Sequence, residues 1–297
     1  MSTMLKVVKK ILKKLQKELI PPIFLKLGKR AKSVNLQPTF KSYEDALKAS
    51  GSYQENDLIK VIVAKTKQYI EQDFPDQPIN ISNLSNARTV RTLLAVSAGI
   101  HKKNITVLDF GGSAGIHYFT ARQIISKDIT LKWCVVETEA LVNEAISEGL
   151  ENDELLFFST IEEASNKVSD FDLIYSNFAL CYTPNPLFYL DQLLQTNFNK
   201  IFLTNTSLNI NNEDDIIGLQ TSTIATNGVG RNIPSHLGIA DREIIYPFTI
   251  PSKARVESKI KEYGYIVYNI KEKEATYPTV DGIFDNYGYL ITSKYRL

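Results

Sequence analysis

The sequence is poor in the side chains from which metal centres and disulfide frameworks are built. It has two cysteines, Cys134 and Cys181, and three histidines spread along the chain. None has the spacing of a metal site, and both cysteines lie in apolar stretches without a disulfide pattern. The sequence therefore predicts no bound metal and a reducing compartment, with the cytoplasm as the default.

Long apolar runs are also missing from the N-terminal part of the chain. The longest stretch without a charge there is 19–25, which is too short to span a bilayer or to form the apolar core of a cleaved signal peptide. We therefore expect neither a spanning helix nor a secretory leader in this segment.

Charge is distributed unevenly along the chain. Residues 1–32 contain ten lysines or arginines and one acid, Glu18, whereas the remainder has a net charge of about −8. Apolar residues recur there at spacings of three and four with lysines between them, which predicts an amphipathic helix that ends at Pro21 and Pro22. We define residues 1–39 as a basic amphipathic arm.

Three kinds of partner suit such an arm. The favoured one is an anionic membrane surface at the cytoplasmic face, which would make the protein peripheral there. The alternative is packing on the protein itself or on a second copy of the chain, as in a homo-oligomer. Nucleic acid is the least favoured, because the arm is not rich in arginine or aromatic residues and the remainder is acidic.

Residues 40–100 read as a helical region. Ser42 is a predicted N-cap with Asp45 in the third helical position, and further helices are predicted over 56–70 and 86–98. These helices would either cap the mouth of a site or simply cover a sheet.

From residue 101 to residue 297 the pattern alternates between strands and helices, which predicts an α/β domain with a doubly wound sheet. Five strands are predicted at 105–109, 130–136, 154–158, 171–176 and 200–205. A polar insertion at 207–250 interrupts the rhythm, and a length of this kind is more often functional than idle. The last two strands, 265–270 and 289–294, have no helix between them and are expected to be antiparallel.

A glycine-containing loop follows the first of these strands. Asp109 closes the strand, and Gly111, Gly112 and Gly115 follow before a helix begins. Glycines let backbone N–H groups approach a ligand, and a helix N-terminus favours negative charge. The loop therefore indicates a nucleotide-type cofactor site, although Asp109 could instead be only a helix cap.

The spacing Asp-x-Gly-x-x-x-Gly, the acid Glu137 at the end of the second strand and the helix-free terminal strand pair resemble the class I S-adenosylmethionine-dependent methyltransferases. The wider chain is similar to a methyltransferase family associated with bacterial surface-polysaccharide or lipopolysaccharide biosynthesis. Segments that carry this likeness are Pro21-Pro22, 42–47, 107–112, 171–176 and 179–182. The resemblance implies a Rossmann-like, seven-stranded sheet with an antiparallel last strand and an N-terminal helical extension.

The same resemblance implies S-adenosylmethionine as the cofactor and assigns its contacts. Asp109 would help to hold the methionine end, and Glu137 would take both ribose hydroxyls, unless it is only an exposed strand end. Where the family commonly has an acid for the adenine, this chain has Ser159 and Thr160. The remaining predicted contacts, in the loop and after the fourth strand, are Gly111, Gly112, Ser113, Gly115, Ser176, Asn177 and Leu180.

The acceptor is harder to predict. The resemblance implies methyl transfer to a small-molecule or lipid-linked saccharide acceptor, and a hydroxyl nucleophile would benefit from a general base. The candidates for that base are His236, then Asp241 and Tyr182, whereas His117 is expected to be a packing or capping residue.

Two other functions fit parts of the pattern. One is a non-catalytic protein of the same fold that acts as a scaffold at the membrane. The other is a dinucleotide-dependent oxidoreductase or sugar epimerase, against which the missing Gly-x-Gly-x-x-Gly motif and the missing Tyr-x-x-x-Lys pair both count.

Overall fold

Three helices precede the first strand in the computed structural model, which describes residues 39–73, 87–100, 102–211, 214–272, 277–278 and 283–295. They are α1 (Tyr43–Lys48), α2 (Asn56–Asp73) and α3 (Ala87–Gly99). Ser42 caps α1 by accepting the backbone N–H of Asp45, as the sequence predicts. Most of the predicted arm, residues 1–38, lies outside the described residues.

The chain then alternates between strands and helices. The first half of this region is β1 (Asn104–Phe110), α4 (Ile116–Ile124), β2 (Thr130–Val136), α5 (Glu139–Ser147), β3 (Leu155–Phe158), α6 (Ile161–Lys167), β4 (Phe171–Asn177) and α7 (Pro186–Gln195). The second half is β5 (Phe198–Asn209), β6 (Ile216–Thr223), β7 (Glu243–Ile250), α8 (Lys253–Tyr263), β8 (Gly264–Lys271), β9 (Tyr277–Pro278) and β10 (Ile283–Ser293).

Seven of these strands form the main path of one sheet, in the order β3-β2-β1-β4-β5-β10-β8, and the short β9 pairs with β10. Strands β1 to β5 are parallel, whereas β10 runs antiparallel to both neighbours, β5 and β8. The order reverses between β1 and β4, which is the switch point where open α/β sheets bind ligands. The predicted doubly wound sheet with an antiparallel last strand is confirmed.

Helices cover the sheet on both faces, as the near-continuous apolar strands require. On one face, which we call face A, residues of α2, α3, α4 and α5 pack around Val107, Trp133 and Tyr175. On the opposite face, face B, residues of α6, α7 and α8 pack around Leu108 and Ile174. Because side chains alternate along a strand, Asp109 and Asn177 belong to face A, and Ser176 belongs to face B.

The segment predicted as a polar insertion contains its own sheet. β6 and β7 pair antiparallel, from Ile216 opposite Ile250 to Thr223 opposite Glu243, and Ile224, Ile244 and Tyr246 join the apolar core of face A. A polar run at 209–215 comes directly before β6, and apolar residues alternate in that strand over only a few positions. Local pattern therefore does not indicate β6.

The last strand begins earlier than predicted, at Ile283 rather than at residue 289. Its first half carries Asp285 and Asn286, which local pattern excludes from a buried strand, yet both are buried. Tertiary partners reverse that preference, since Lys271 forms an ion pair of 2.6 Å with Asp285 and Ser207 donates a hydrogen bond of 2.8 Å to Asn286.

Among the described residues, no helix has the length and apolar character needed to cross a membrane.

Candidate functional site

The loop between β1 and α4 lies at the carboxyl end of the parallel strands. Phe110 is opposite Val136 in β2 and opposite Ser176 in β4, so the loop emerges between the ends of two strands. α4 begins after Gly115, whose φ is 80°, and none of the described side chains caps its N-terminus. The positive end of α4 is therefore open to an anionic group at this edge of the sheet. Asp109 does not cap the helix.

The first two glycines of this loop are required by the chain's own atoms. Gly111 has a φ of +72°, and a Cβ atom placed there would overlap the side chain of Ala179. A Cβ atom on Gly112 would lie 2.5 Å from Oδ2 of Asp109. These glycines thus bring the loop close to its own support, in addition to any approach of a ligand.

Asp109 supports the loop from within the sheet. Its side chain is fully buried, accepts a hydrogen bond of 2.9 Å from Nε1–H of Trp133, and lies 3.1 Å from Nδ1 of His117 through each of its carboxylate oxygens. A carboxylate with these partners holds β1, β2 and α4 together.

His117 continues this polar line towards β4. Its ring is buried, lies 4.8 Å from the ring of Tyr175, and has Nε2 3.4 Å from Nδ2 of Asn177. Oδ1 of Asn177 is buried and has no hydrogen-bond partner among the described residues. An acceptor in that condition is unfavourable unless another group meets it.

Glu137 stands on the other side of the loop, directly after β2. Its Oε1 accepts the backbone N–H of Ser113 over 3.1 Å, and its Oε2 accepts that of Thr138 over 3.0 Å. Burial raises the pKa of this carboxyl, the two backbone hydrogen bonds oppose the rise, and the nearby charge of Asp109 adds to it. The structure thus places an acidic acceptor beside the amides of the loop.

Ser159 and Thr160 follow β3 and form the N-terminal cap of α6. Thr160 accepts the backbone N–H of Glu163, and the Glu163 carboxylate accepts the backbone N–H groups of both Ser159 and Thr160. This reciprocal capping occupies the backbone N–H groups on which an adenine ring could otherwise depend.

Ser176 and Leu180 are buried and point away from the polar line. Ser176 lies on face B, and Leu180 packs in the apolar core of that face. Of the three cofactor contacts predicted at this point, Ser176, Asn177 and Leu180, it is Asn177 that lies on face A.

Tyr182 lies in an aromatic cluster. It stacks on Tyr53 with centroids 5.7 Å apart, and it also packs against Phe178, Tyr246 and Phe248. Its hydroxyl donates a hydrogen bond of 3.0 Å to Gln220 in β6. Burial raises the pKa of Tyr182 well above its ordinary value, so the phenol stays neutral and is poorly suited to act as a base.

The other two predicted bases, His236 and Asp241, have no contact with the loop among those shown by the described residues. His236 is exposed and lies in a groove that Glu148 also lines, at the end of α5 opposite to Glu137. Asp241 accepts the backbone N–H of Ala225 over 2.9 Å, which stabilises the connection after β6. The contacts of these two side chains are thus with the end of α5 and with the connection after β6.

A second polar group on face A was not predicted from the sequence. Glu272, after β8, accepts hydrogen bonds from the hydroxyl of Thr204 and from the backbone N–H of Asn205, and it lies 3.4 Å from Arg91 of α3. Thr204 is the direct neighbour of Asn177 across β4 and β5. No local pattern indicates this group, because its members come from elements that are remote in sequence.

Within the part of the chain that the structure describes, no group of three or more histidine, cysteine, aspartate or glutamate side chains could hold a metal ion.

Comparison with known proteins adds distant structural likeness. No protein-family model matches the chain, and no curated protein matches it. Among solved structures, the N-methyltransferase NodS from Bradyrhizobium japonicum WM9 in complex with S-adenosyl-L-homocysteine is 13% identical with a TM-score of 0.42, over 79% of this chain and 99% of that one. The geranyl diphosphate C-methyltransferase from Streptomyces coelicolor A3(2) is 10% identical with a TM-score of 0.45, over 72% and 82%. An S-adenosylmethionine-dependent methyltransferase from Clostridium acetobutylicum ATCC 824 is 10% identical with a TM-score of 0.43, over 76% and 96%.

Proposed function

We propose that the chain is a class I methyltransferase that binds S-adenosylmethionine at the carboxyl edge of β1 and β2. The observation that carries the proposal is the contact between the loop and the acid, in which the Ser113 N–H meets Glu137. The loop follows β1, the strand beside the switch point of a sheet whose last strand is antiparallel. A loop of backbone amides, an open helix N-terminus and a carboxylate are the groups that a nucleoside carrying an amino acid requires.

The residues fit the parts of this cofactor. Glu137 keeps lone pairs beyond its two backbone hydrogen bonds, and these would accept the two ribose hydroxyls. The open N-terminus of α4 would face the methionine carboxylate, and Asn177 would lie near the methionine part. Ser159 and Thr160 are the candidates on the adenine side, where their hydroxyl groups, rather than their backbone, would have to make the contact.

The chemistry of the cofactor is that of an electrophilic methyl group on a sulfonium, which a nucleophile of the acceptor attacks in line. The chain's own contribution is to align the two reactants and to exclude water. Among the contacts of the described residues, neither His236 nor Asp241 touches the loop, and burial raises the pKa of the Tyr182 phenol. Alignment is therefore proposed as the main contribution, without a histidine base.

The acceptor is proposed to be a small or saccharide-type molecule, free or lipid-linked, in surface-polysaccharide biosynthesis. Support for this comes from the sequence segments that resemble that family. The test is transfer of labelled methyl groups from S-adenosylmethionine to nucleotide sugars and to lipid-linked saccharides. Labelling of proteins or nucleic acids, with none of saccharides, would exclude the saccharide assignment.

Cofactor binding is tested by calorimetry with S-adenosylhomocysteine. We expect micromolar binding that weakens by about ten-fold or more in Glu137→Gln, since an amide accepts fewer hydrogen bonds than a carboxylate. Glu163→Gln, which changes a cap of α6, is the matched control and should bind within about three-fold of the unmodified chain. Absence of binding to the folded, unmodified chain would overturn the proposal.

Residues 1–32, the lysine-rich part of the basic amphipathic arm, are proposed to attach the protein to the anionic cytoplasmic face of a membrane. Its predicted apolar stripe and its lysines support this. The full chain should float with vesicles that contain anionic lipid and should not float with neutral vesicles, whereas a chain without residues 1–32 should float with neither. Equal flotation of both chains would refute the membrane role, and a change from dimer to monomer on truncation would favour a contact between copies.

A further inference from the structure

Asp109, His117 and Asn177 form one line of side chains across face A. Asp109 lies 3.1 Å from Nδ1 of His117, and Nε2 of the same ring lies 3.4 Å from Nδ2 of Asn177. Asp109 is fully buried and His117 nearly so. The protonation of the imidazole therefore decides which way the Asn177 amide faces.

A neutral imidazole satisfies this line in one arrangement. A carboxylate accepts hydrogen bonds and does not donate them, so Nδ1 must carry the proton that faces Asp109. Nε2 is then an acceptor, and the group of Asn177 that meets it must be the amide NH₂. The opposite tautomer would place a lone pair of Nδ1 against the carboxylate.

This tautomer leaves Oδ1 of Asn177 as the free end of the line. The atom is buried and has no partner among the described residues. Its neighbour across the sheet, Thr204, cannot donate to it, because the Thr204 hydroxyl already donates to Glu272. A hydrogen-bond donor from outside the described residues is what this oxygen lacks.

We infer that Oδ1 of Asn177 binds an N–H or O–H donor of the ligand, and that His117 is a positioning residue that fixes the Asn177 amide in the accepting orientation. The inference rests on the proposed function for its place in the site. Two parts of the reacting pair carry such a donor. One is the ammonium of the methionine part of the cofactor, and the other is the amine or hydroxyl of the methyl acceptor.

Binding measurements separate these two sources. S-adenosylhomocysteine carries the ammonium, whereas 5′-methylthioadenosine lacks the amino-acid part. If Oδ1 meets the ammonium, Asn177→Leu weakens the binding of S-adenosylhomocysteine by about ten-fold or more. The affinity for 5′-methylthioadenosine then stays within about two-fold of that of the unmodified chain. If Oδ1 meets the acceptor, both affinities stay and the KM for the acceptor rises by about ten-fold.

Two further variants keep the test independent of folding. Asn177→Asp retains an acceptor and should retain the affinity that Asn177→Leu loses. His117→Phe removes the positioning contact, and it should give part of the loss of Asn177→Leu and no further loss when the two are combined. If Asn177→Leu, folded as judged by circular dichroism, changes neither affinity nor KM by more than about two-fold, the inference is wrong.

The tautomer itself is measured by ¹⁵N NMR of the histidine rings, without any ligand. We expect Nδ1 of His117, which faces Asp109, to carry a proton and Nε2, which faces Asn177, to carry none. A proton on Nε2, in either the neutral or the charged ring, would overturn the assigned amide orientation. Because this measurement needs no cofactor, its outcome is distinguishable from a failure of the proposed function, which would appear as absent binding in the unmodified chain.

Discussion

The indole Nε1–H of Trp133 donates a hydrogen bond of 2.9 Å to Oδ2 of Asp109, and both side chains are fully buried. The two residues lie in neighbouring strands on the same face of the sheet. A buried carboxylate is costly unless it has hydrogen-bond donors. Trp133 and His117 supply them, which is how an acid can close an otherwise apolar strand at the foot of the glycine loop.

Trp133→Phe should destabilise the protein by about 3 kcal/mol, because it leaves the carboxylate without one donor and opens a cavity. The measurement is the free energy of unfolding in urea. In an Asp109→Asn background the same substitution should cost about 1 kcal/mol less, since an amide needs the donor less than a carboxylate does. Equal costs in the two backgrounds would show that the charge of Asp109 adds nothing to this hydrogen bond.

Gly111→Ala should destabilise the fold more than Gly149→Ala. Both glycines have positive φ, +72° and +75°. A Cβ atom on Gly111 overlaps Ala179, whereas one on Gly149 meets no atom of the described residues within 4 Å. We expect about 1 kcal/mol for Gly149→Ala from backbone strain alone, and at least about 1 kcal/mol more for Gly111→Ala.

Ala179→Gly provides the control for this prediction. Combined with Gly111→Ala, it should recover part of the additional loss, because it removes the atom that the new methyl group meets. If the two glycine variants are equally stable in urea unfolding, close approach to Ala179 is not what requires glycine at this position.

As the pH rises, the unfolding free energy of Glu137→Gln should increase relative to that of the unmodified chain. The pKa of Glu137 is raised from its ordinary value of 4.5 in the folded protein, chiefly by burial. The folded state therefore binds the proton more tightly than the unfolded state, so the stability that protonation contributes is present below about pH 4.5 and is lost as the pH rises through the raised pKa.

The measurement is the difference in unfolding free energy between Glu137→Gln and the unmodified chain at several pH values from about 4 to about 8. A difference that moves in favour of the unmodified chain as the pH rises would mean that the backbone hydrogen bonds outweigh burial.

Tyr182→Phe should leave the pH dependence of methyl transfer unchanged. The raised pKa keeps the phenol neutral, and its hydroxyl donates a hydrogen bond to Gln220. We expect a stability loss of about 1 kcal/mol, similar to that of Tyr246→Phe, which breaks a hydrogen bond of 3.1 Å to Ser222. Loss of turnover by orders of magnitude in Tyr182→Phe, with turnover kept in Tyr246→Phe, would restore Tyr182 as a catalytic residue.

Lys65→Met should destabilise the contact between α2 and the connection after β6. Lys65 is buried, and its ammonium donates hydrogen bonds of 2.6 Å and 2.7 Å to the carbonyl groups of Ala225 and Asn227. We expect a loss of about 2–3 kcal/mol, because two carbonyl groups lose a charged donor. Lys67→Met, which breaks a surface ion pair with Glu148, should cost less than about 1 kcal/mol. Equal losses of unfolding free energy in the two variants would mean that the hydrogen bonds of Lys65 stabilise the fold no more than a surface ion pair does.

The elements around the glycine loop could be predicted because their signals are local. Strand β2 is observed with its predicted bounds, since an apolar run between polar ends needs no distant information. The N-cap of α1 at Ser42 depends on residues three positions apart. For the same reason the relation between Asp109, the glycines and Glu137 could be predicted as one group at the end of adjacent strands.

Other parts could not be predicted because their partners are remote in sequence. Local pattern makes Asp285 and Asn286 unlikely strand residues, and only Lys271 and Ser207 explain their burial. Glu272 joins Thr204 and Arg91 across intervals that no spacing rule covers. Conversely, the position of His236 beside a serine in a long polar segment indicated a base, whereas the folded chain places it beside Glu148.

By itself the sequence determined the α/β class of the chain, the glycine loop after the first strand and the acid that follows the second. These depend on hydrophobic period, backbone freedom and charge within a few residues of one another. Tertiary structure alone decided the roles of the polar side chains. Burial and distant partners made Asp109 a support, oriented His117 towards Asn177, and kept Tyr182 neutral in an aromatic cluster, because the chemistry of a polar group depends on what the fold places around it.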